Sequence, residues 1–505
     1  MANKVALIIL DGWGLAGAGA GNAFTNAKTP TFGQLFEQYP SFALQAAGQS
    51  VGMPENSPGN SEAGHRALGT GQVTEMIASR LQHEITSGEL WRRPALTEAW
   101  QSAKQNGKKI HLVGLLSDST NHASLELLYS LIDSAKQFGY VNALYLHLFL
   151  DGRDTQLRSG QELLEKVYVY LQNQGYGSIA TLCGRQFAMS RGGEDALVAR
   201  AADLLLEGKG QIAKSPLEAV MDEYAHGRGD YNLEPTVCDP NGKIEAGDSV
   251  ILFNHRADRQ RPLVTALSGR LAECLTVATV PFEQPWPYRA LYEPVVTEIN
   301  LVSAVTTAGK KVTKITETDR AAHLTSFFNG GHEAPYYNEE RVFIDSRLVK
   351  VTPEQSIDQL NKQVSTRLRQ AAEDLLIVNV PNMDAAGHAG DLALAQAAVE
   401  AVDRTLADWL VAGADQWTFL ITADHGNIEY LLDPQTNEIR PEDTASLVPI
   451  LCVDQKVKGK GSNSYEQLAG QPAIGMLTDV TATVLAALDV PAPPEIAGVN
   501  LLEQT

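Results

Sequence analysis

The chain has 505 residues, roughly three times the ~150 residues of an average domain, so several domains, or one domain interrupted by an insertion, are expected. With 44% apolar and 20% charged residues, the composition is that of a folded globular protein and excludes the disordered, collagenous and disulfide-stapled classes. The 40 basic and 60 acidic residues give a net charge of −20, which argues against a nucleic-acid or anionic-membrane partner, because either requires a broad positive surface.

The first apolar run, at residues 5–10, is too short for the core of a signal peptide, and no stretch approaches the ~20 apolar residues of a membrane span. The four cysteines have no CxxC spacing, so neither a zinc-thiolate site nor a disulfide framework is expected. These features predict a soluble, cytoplasmic protein without a membrane partner.

Short apolar runs alternate with longer amphipathic patterns along the chain. The runs predict eight buried parallel strands, at residues 4–10, 109–116, 143–150, 178–183, 249–253, 374–380, 417–422 and 447–453. Helical spacing of apolar residues marks residues 399–409 and 480–488. The alternation predicts the α/β class, with domain boundaries near residues 71–79 and in the proline-containing stretch 266–295.

Acidic residues and histidines follow several of these runs, where an open α/β sheet binds its ligands. The candidates for metal ligands are Asp11, Asp384, His388, Asp424, His425 and Asp443. Taken singly, such an aspartate is more often a helix cap or a turn former. Their number, and the D-x-x-x-H and D-H-G spacings, favour a divalent-metal site.

Ser61 lies in the segment PGNSEAGHRALGTG, a turn-rich run that leads into a predicted helix. Two interpretations stay open from the residues alone. The serine could cap the helix, or it could be a nucleophile activated by a metal ion, with helix N–H groups holding a phosphoryl group.

The middle of the chain places a second set of polar residues after apolar runs: His122, Arg153, Asp154, Arg185, Arg191, Arg256 and Arg259. Arginine forks bind phosphate and carboxylate groups, so the set favours a pocket for a small phosphorylated acid. The alternative is that these arginines pair with surface carboxylates, which the acidic composition supplies in excess.

These motifs resemble, in order and over nearly the whole chain, those of the cofactor-independent (2,3-bisphosphoglycerate-independent) phosphoglycerate mutases, within the alkaline-phosphatase-like superfamily. The matching motifs are LDGWG, GNSEAGH, GLLSD with a following histidine, DGRD, GR with a following arginine, FNHRADR, FFNGG, D-x-x-G-H and TADHGN. The resemblance implies a two-domain α/β fold. A discontinuous phosphatase-like domain would comprise residues 1–75 and 300–505, and an inserted transferase domain would comprise residues 76–299.

The resemblance also implies roles for individual residues. One metal ion would be held by Asp11, Ser61, Asp424 and His425, and a second by Asp384, His388 and Asp443. Ser61 would carry the phosphoryl group between the two hydroxyls of glycerate, with Asp154 as general base and Arg320 on the phosphoryl group. His122, Arg153, Asp154, Arg185, Arg191, Arg256, Arg259 and Arg320 would bind the phosphoglycerate.

The implied enzyme is a cytoplasmic glycolytic and gluconeogenic isomerase, acting as a monomer on a small-molecule substrate and without bisphosphoglycerate. Its implied cofactors are two divalent metal ions, with Mn²⁺ favoured and Mg²⁺, Zn²⁺ and Co²⁺ as alternatives.

The chain departs from the family pattern at three positions of the site. Asp443 stands where the family has a histidine ligand, Arg320 where it has a lysine, and Ser190 where it has an aspartate. An aspartate ligand favours harder ions than zinc, and an arginine cannot donate a proton. The alternatives are therefore a metal-dependent phosphohydrolase, a phosphomutase of another small substrate, or a catalytically weak paralogue that binds phosphoacids.

Overall fold

The computed structural model describes the chain apart from residues 1–3, 120, 142, 191–194, 257–258, 282–287, 294, 347–352, 415, 434, 462 and 505, and describes only the backbone of residues 353–356 and 504. The chain divides into two compact units. The discontinuous unit comprises Met1–Met76 and Val295–Thr505, and the inserted unit comprises Ile77–Pro294. The corresponding domains predicted from the sequence comprise residues 1–75 with 300–505, and residues 76–299.

The described strands, numbered in chain order, are β1 (Lys4–Leu10), β2 (Ser41–Gln45), β3 (Ile110–Leu116), β4 (Leu144–Leu150), β5 (Ser178–Gly184), β6 (Gln211–Ile212), β7 (Thr236–Val237), β8 (Ser249–Leu252), β9 (Leu275–Ala278), β10 (Arg289–Ala290), β11 (Val312–Glu317), β12 (Glu339–Ile344), β13 (Leu375–Val380), β14 (Trp417–Thr422), β15 (Val448–Val453) and β16 (Gly475–Met476). All eight predicted strands are present, with their ends within one residue of the prediction. The α/β class is confirmed.

The described α-helices are α1 (Ala23–Asn26), α2 (Pro30–Gln38), α3 (Ser61–Thr70), α4 (Ile77–Ser87), α5 (Pro94–Asn106), α6 (Leu125–Gln137), α7 (Gly160–Gln174), α8 (Arg185–Ala188), α9 (Asp195–Glu207), α10 (Pro216–Ala225), α11 (Arg261–Leu267), α12 (Leu301–Thr307), α13 (Pro353–Gln370), α14 (Asn382–Gly387), α15 (Leu392–Gly413), α16 (Tyr465–Ala469) and α17 (Leu477–Ala487). A rare π-helical turn spans His323–Phe327. Among the described helices, none combines the length and the apolar character needed to cross a membrane.

The discontinuous unit is built on one eight-stranded sheet of order β12-β11-β13-β1-β14-β15-β2-β16. Strand β1 lies between β13 and β14 and is parallel to both, and its residues from Val5 onward are completely buried. Burial of successive residues means that both faces of the sheet are covered here, which explains the continuous apolar run.

The predicted direction of the strand at residues 447–453 is wrong. Strand β15 runs antiparallel to β14 and to β2, whereas the sequence analysis expects all eight runs to be parallel. All six residues of β15 are buried. A strand covered on both faces has the same apolar composition whichever way it runs, so its sequence does not reveal its direction.

The inserted unit has its own eight-stranded sheet, of order β10-β9-β8-β3-β4-β5-β7-β6. Its central strands β8, β3, β4 and β5 are mutually parallel. The boundary predicted in the stretch 266–295 lies at its end, where the inserted unit ends at Pro294, because β9 and β10 still belong to the inserted unit and extend its sheet beyond β8. A four-residue strand and a two-residue strand are too short to show a period in the sequence.

Two buried histidines lie side by side on the sheet of the inserted unit. Nδ1 of His111, on β3, is 2.9 Å from Nε2 of His147, on β4. The outer nitrogens of the pair lie 3.1 Å from a carboxylate oxygen of Asp248 and 2.9 Å from the hydroxyl oxygen of Thr181. Burial lowers the pKa of His111, and burial together with the charges of His111 and Lys109 places the pKa of His147 well below its ordinary value.

We therefore expect the inserted unit to lose stability in mild acid. The histidines take up protons near pH 6.5 in the unfolded chain but at lower pH in the folded one. Their contribution to the free energy of unfolding is therefore complete above pH 6.5 and falls as the pH decreases below it. Each proton taken up on unfolding contributes a slope of about 1.4 kcal/mol per pH unit. The urea midpoint, followed by circular dichroism from pH 8 to 5, measures this loss.

A His147→Gln variant tests the origin of this dependence, since glutamine does not titrate. Its urea midpoint should depend less steeply on pH between 6.5 and 5 than that of the wild type. The exposed His226, whose ring nitrogen contacts the carbonyl of Asp222, provides the control His226→Gln, which should leave the dependence unchanged. An equally steep dependence in His147→Gln would contradict the assignment.

Candidate active site

The metal-ligand candidates meet at one edge of the discontinuous sheet. Asp11 directly follows β1, Asp384 lies in α14 just after β13, and Asp424 and His425 follow β14. These three parallel strands are neighbours, so their carboxyl ends lie together. Asp443 precedes β15, and because β15 is antiparallel, its beginning lies at the same edge.

The first cluster comprises Asp11, Asp424 and His425, whose ligand atoms lie within 4.8 Å of one another. Nε2 of His425 is 3.4 Å from Oδ1 of Asp11 and 3.5 Å from Oδ2 of Asp424. The hydroxyl oxygen of Ser61 is 3.1 Å from the same imidazole nitrogen. The structure thus brings together the four residues that the sequence analysis assigns to one metal ion.

Ser61 is the first residue of helix α3 and does not cap it. The cap is Asn60, whose side-chain oxygen accepts a hydrogen bond from the backbone N–H of Ala63. Gly64 allows the helix to approach the strand end closely, since a Cβ at this position would lie 2.2 Å from the carbonyl oxygen of Asp424. The Ser61 hydroxyl therefore lies at a helix N-terminus, a position that favours anions such as phosphate.

The second cluster comprises Asp384, His388 and Asp443, again with ligand atoms within 4.8 Å of one another. The backbone N–H of His388 donates to the carbonyl of Asp384 at 3.0 Å, so the D-x-x-x-H pair shares one helical turn, as its spacing predicts. Nε2 of His388 is 3.1 Å from Oδ1 of Asp384 and 3.4 Å from Oδ1 of Asp443. Asp443 also adjoins the first cluster, with Oδ1 3.5 Å from Nδ1 of His425.

The donor set suits two divalent cations. Oδ1 of Asp11 and Oδ1 of Asp384 are buried, and neither accepts a hydrogen bond from any described residue. The two clusters together hold four buried carboxylates, which require more counter-charge than the guanidinium paired with Asp384 supplies. Burial lowers the pKa of His425, yet Asp424 and Asp443 raise it well above its ordinary value, which shows how negative the site is. Mixed carboxylate and imidazole ligands are typical of Mn²⁺, Mg²⁺ and Zn²⁺ sites.

Arg320 supplies a positive charge at the second cluster. It lies in a 3₁₀ turn between β11 and the π-helical turn, and one guanidinium nitrogen donates to Oδ2 of Asp384. Burial lowers the pKa of Arg320, but the carboxylates of Asp384 and Asp11 raise it above its ordinary value. Arg320 therefore stays protonated beside the metal-ligand candidates.

A further layer of polar residues, which the sequence analysis does not single out, orients the carboxylates. Nδ1 of His65 is 2.9 Å from Oδ2 of Asp424, and its Nε2 is 3.1 Å from the side-chain oxygen of Asn379. The amide of Asn379 in turn donates to Oδ2 of Asp11 at 3.3 Å. Hydrogen bonds from such outer residues fix the orientation of metal ligands.

Two of these residues have a detectable signal in the sequence. His65 lies four residues after Ser61 in one helix, hence on the same face, and Asn379 is a polar residue inside the apolar strand LLIVNV. His323 has no such signal. It lies in the π-helical turn with Nδ1 3.4 Å from Oδ2 of Asp11, and π-helical turns are frequent at functional sites.

The polar residues of the inserted unit also meet at the carboxyl ends of neighbouring strands. Nη1 of Arg185, after β5, donates to Oδ1 of Asp151 at 2.5 Å and to Oδ2 of Asp154 at 2.7 Å. The hydroxyl of Ser117, after β3, donates to Oδ2 of Asp151 at 2.8 Å. Nε2 of His122 is 3.5 Å from Oδ2 of Asp154. These ion pairs are buried, unlike the surface pairs of the alternative interpretation.

Three further substrate-binding candidates of the inserted unit lie on loops that follow its strands. Arg153 lies in the turn between Asp151 and Asp154 and is half-buried, with its backbone N–H donating to Asp151. Arg256 is buried and Arg259 is half-buried on the loop after β8, at the same edge of the sheet. Ser190, which replaces the aspartate of the family pattern, is buried after α8. Arg191 lies outside the described residues.

The comparisons with known proteins agree with one another. The sequence model of the family described as BPG-independent PGAM N-terminus matches residues 81–284. A 2,3-bisphosphoglycerate-independent phosphoglycerate mutase from Moorella thermoacetica is 36% identical over 515 residues, covering 98% of each chain. One from Clostridium novyi is 36% identical over 524 residues and covers 100% of each chain. The structure of Leishmania mexicana phosphoglycerate mutase at low cobalt concentration is similar in fold, with a TM-score of 0.87 at 24% identity, over 99% of this chain and 97% of that one.

Proposed function

Because the chain belongs to the family of 2,3-bisphosphoglycerate-independent phosphoglycerate mutases, we propose that it interconverts 3-phosphoglycerate and 2-phosphoglycerate through a phosphoserine at Ser61. Such an enzyme is an isomerase, since the phosphoryl group moves between two hydroxyls of the same molecule. The observation that supports the serine assignment best is the position of its hydroxyl, at the start of α3 and 3.1 Å from Nε2 of His425.

Ser61 would act first as nucleophile and then as leaving group. Its oxygen forms a bond to phosphorus while the bond from phosphorus to the C3 oxygen of 3-phosphoglycerate breaks, and the proton of the serine hydroxyl passes to that C3 oxygen. The C2 hydroxyl of the retained glycerate then attacks phosphoserine, which restores the serine and yields 2-phosphoglycerate. Backbone N–H groups at the start of α3 would hold the phosphoryl oxygens.

The residues of the inserted unit would hold the glycerate. Arg153, Arg185, Arg256 and Arg259, with Arg191, supply guanidinium groups for its carboxylate, and His122 adds an imidazole. Asp154 would accept the proton of the attacking hydroxyl and pass it to solvent, and the serine oxygen would take up a proton as it leaves phosphorus. The contacts of Asp154 with Arg185 and His122 hold its carboxylate in place for this role. Retention of glycerate and exclusion of water distinguish a mutase from a phosphatase.

The residues of the two clusters would hold two divalent cations: Asp11, Ser61, Asp424 and His425 one, and Asp384, His388 and Asp443 the other. When bound, such cations lower the pKa of a hydroxyl and neutralise charge on a phosphoryl group. Arg320 has five N–H donors, so a guanidinium that contacts Asp384 can still donate to the phosphoryl oxygens.

We further propose Mn²⁺ as the preferred ion, because four of the candidate ligands are carboxylates and only two are imidazoles, a set that favours harder cations than zinc. The four free cysteines support a cytoplasmic location. Membership of the family supports a role in glycolysis and gluconeogenesis. We also propose that the protein acts as a monomer and has no nucleic-acid or membrane partner.

The test is a coupled assay of 3-phosphoglycerate with added Mn²⁺, without bisphosphoglycerate, and with parallel detection of released phosphate. We expect isomer formation that EDTA abolishes and Mn²⁺ restores, with little phosphate released. Phosphate release without isomer would identify a phosphohydrolase instead. Phosphoglycerate binding without either product would identify the catalytically weak paralogue.

A further inference from the structure

The two carboxylate oxygens of Asp384, a candidate metal ligand, have different surroundings. Oδ2 of Asp384 accepts the hydrogen bond from the Arg320 guanidinium. Oδ1 lies on the cluster side, 3.1 Å from Nε2 of His388, and accepts no hydrogen bond from the described residues. While the contact with Arg320 lasts, Oδ1 is the oxygen of Asp384 that faces the cluster without a hydrogen bond from the described residues, and Oδ2 has part of its charge compensated by the guanidinium.

The charges of the second cluster also indicate that Arg320 weakens cation binding. Asp384 and Asp443 contribute two negative charges and Arg320 one positive charge, so the ligand set with a neutral His388 has a net charge of −1. Arginine keeps its charge at every accessible pH, and both members of this pair are buried, where screening by water is weak. Arg320 therefore repels a divalent cation that enters beside Asp384.

We propose that Arg320 is an internal counter-ion of Asp384 that weakens the second metal site, so that this site binds its cation reversibly and more weakly than it would without the arginine. The inference rests on the proposed two-cation site and adds to it a positioning role for Arg320, which acts through Asp384. Without a cation, the arginine stabilises a carboxylate that would otherwise be buried and uncompensated.

The test is calorimetric titration of Mn²⁺ into metal-free protein. Wild type should bind two Mn²⁺ ions. The Asp443→Asn variant has a weaker ligand in the second cluster, so the binding event whose affinity falls in this variant is assigned to the second site. In Arg320→Gln the affinity of that site should rise at least tenfold, with the first site changed less than threefold. Arg320→Lys keeps the charge but has a single donor head and should lie between wild type and Arg320→Gln.

Arg341→Gln is the matched control, since Arg341 is a guanidinium of the same unit that pairs with Glu339 and donates to the carbonyl of Glu333. It should leave both Mn²⁺ affinities unchanged. Thermal denaturation of the metal-free proteins checks folding, and the rise in Tm caused by Mn²⁺ should be larger for Arg320→Gln than for wild type. If Arg320→Gln does not fold, Arg320→Met, also uncharged, replaces it.

An unchanged or weaker affinity of the second site in folded Arg320→Gln, with two ions still bound by wild type, would overturn this inference and leave the proposed function intact. Wild-type protein that takes up no Mn²⁺ would overturn the two-cation site itself and the inference with it. These two failures are distinguished by the stoichiometry of the wild-type titration.

Discussion

Replacement of Ser61 by alanine is expected to lower the rate of isomerisation by about ten-thousand-fold or more, because the nucleophile and the phosphoserine intermediate are both lost. The fold should survive, since helix α3 is capped by Asn60 and the serine side chain is small. Binding of phosphoglycerate should also persist, because the arginines assigned to it lie in the inserted unit. The coupled assay measures the first effect, and calorimetric titration of phosphoglycerate measures the second.

Ser50→Ala is a suitable control for this variant. The Ser50 hydroxyl donates to the backbone carbonyl of Ala47 in the same unit, so its loss should leave the rate unchanged. Incubation with phosphoglycerate labelled on phosphorus should label wild type and Ser50→Ala but not Ser61→Ala. Retained isomerisation, or labelling of the alanine variant, would rule out Ser61 as the nucleophile.

Replacement of Arg185 by methionine is expected to destabilise the inserted unit by about 3–5 kcal/mol, because it leaves two buried carboxylates without their cation. Burial lowers the pKa of Arg185, but Asp151 and Asp154 raise it above its ordinary value, so the guanidinium is charged in the folded protein. The same change should reduce kcat/KM strongly, since it removes a proposed substrate contact and displaces Asp154. Urea denaturation and the coupled assay give the two results.

Arg270 forms ion pairs with Asp203 and Glu207 at the surface of the same unit, and its replacement is the control for the destabilisation caused by Arg185→Met. Arg270→Met removes two ion pairs of the same unit, but the side chains are partly exposed, so the loss should stay within about 1 kcal/mol. Similar destabilisation by the two variants would mean that the Arg185 pairs contribute no more than surface ion pairs do.

The strands that could be predicted from the sequence are those covered on both faces, such as β1 and β13, because their burial produces uninterrupted apolar runs. Strand β11 is not among the predicted strands, because Lys314 interrupts its apolar pattern. This lysine is completely buried and lies 3.2 Å from Oε1 of Glu339 on β12. Burial lowers the pKa of this lysine to about 8. A charged residue whose ion-pair partner lies on another strand interrupts the apolar run in the sequence, although the strand still forms.

Most of the candidate site was also predictable, because its residues follow strands whose ends can be located. Contacts between residues that are far apart in the sequence could not be predicted. The hydrogen bond from Arg320 to Asp384 and the approach of Asp443 to His425 depend on the order of strands in the sheet and on the reversed direction of β15. Neither the order nor the direction is encoded in the composition of any single strand.

The central position of β1 has a consequence for synthesis on the ribosome. This strand precedes the other described strands in the chain, yet both of its neighbours, β13 and β14, lie more than 360 residues later. The side chain of Lys4 donates to the carbonyl of Glu373, 369 residues later. At about 5–20 residues per second, β1 waits roughly 20–75 seconds for its partners, while the sheet of the inserted unit, which is continuous in sequence, can form earlier. The nascent amino-terminal segment therefore lacks its native pairing during this interval, when an apolar strand with unpaired edges is prone to pair with other chains.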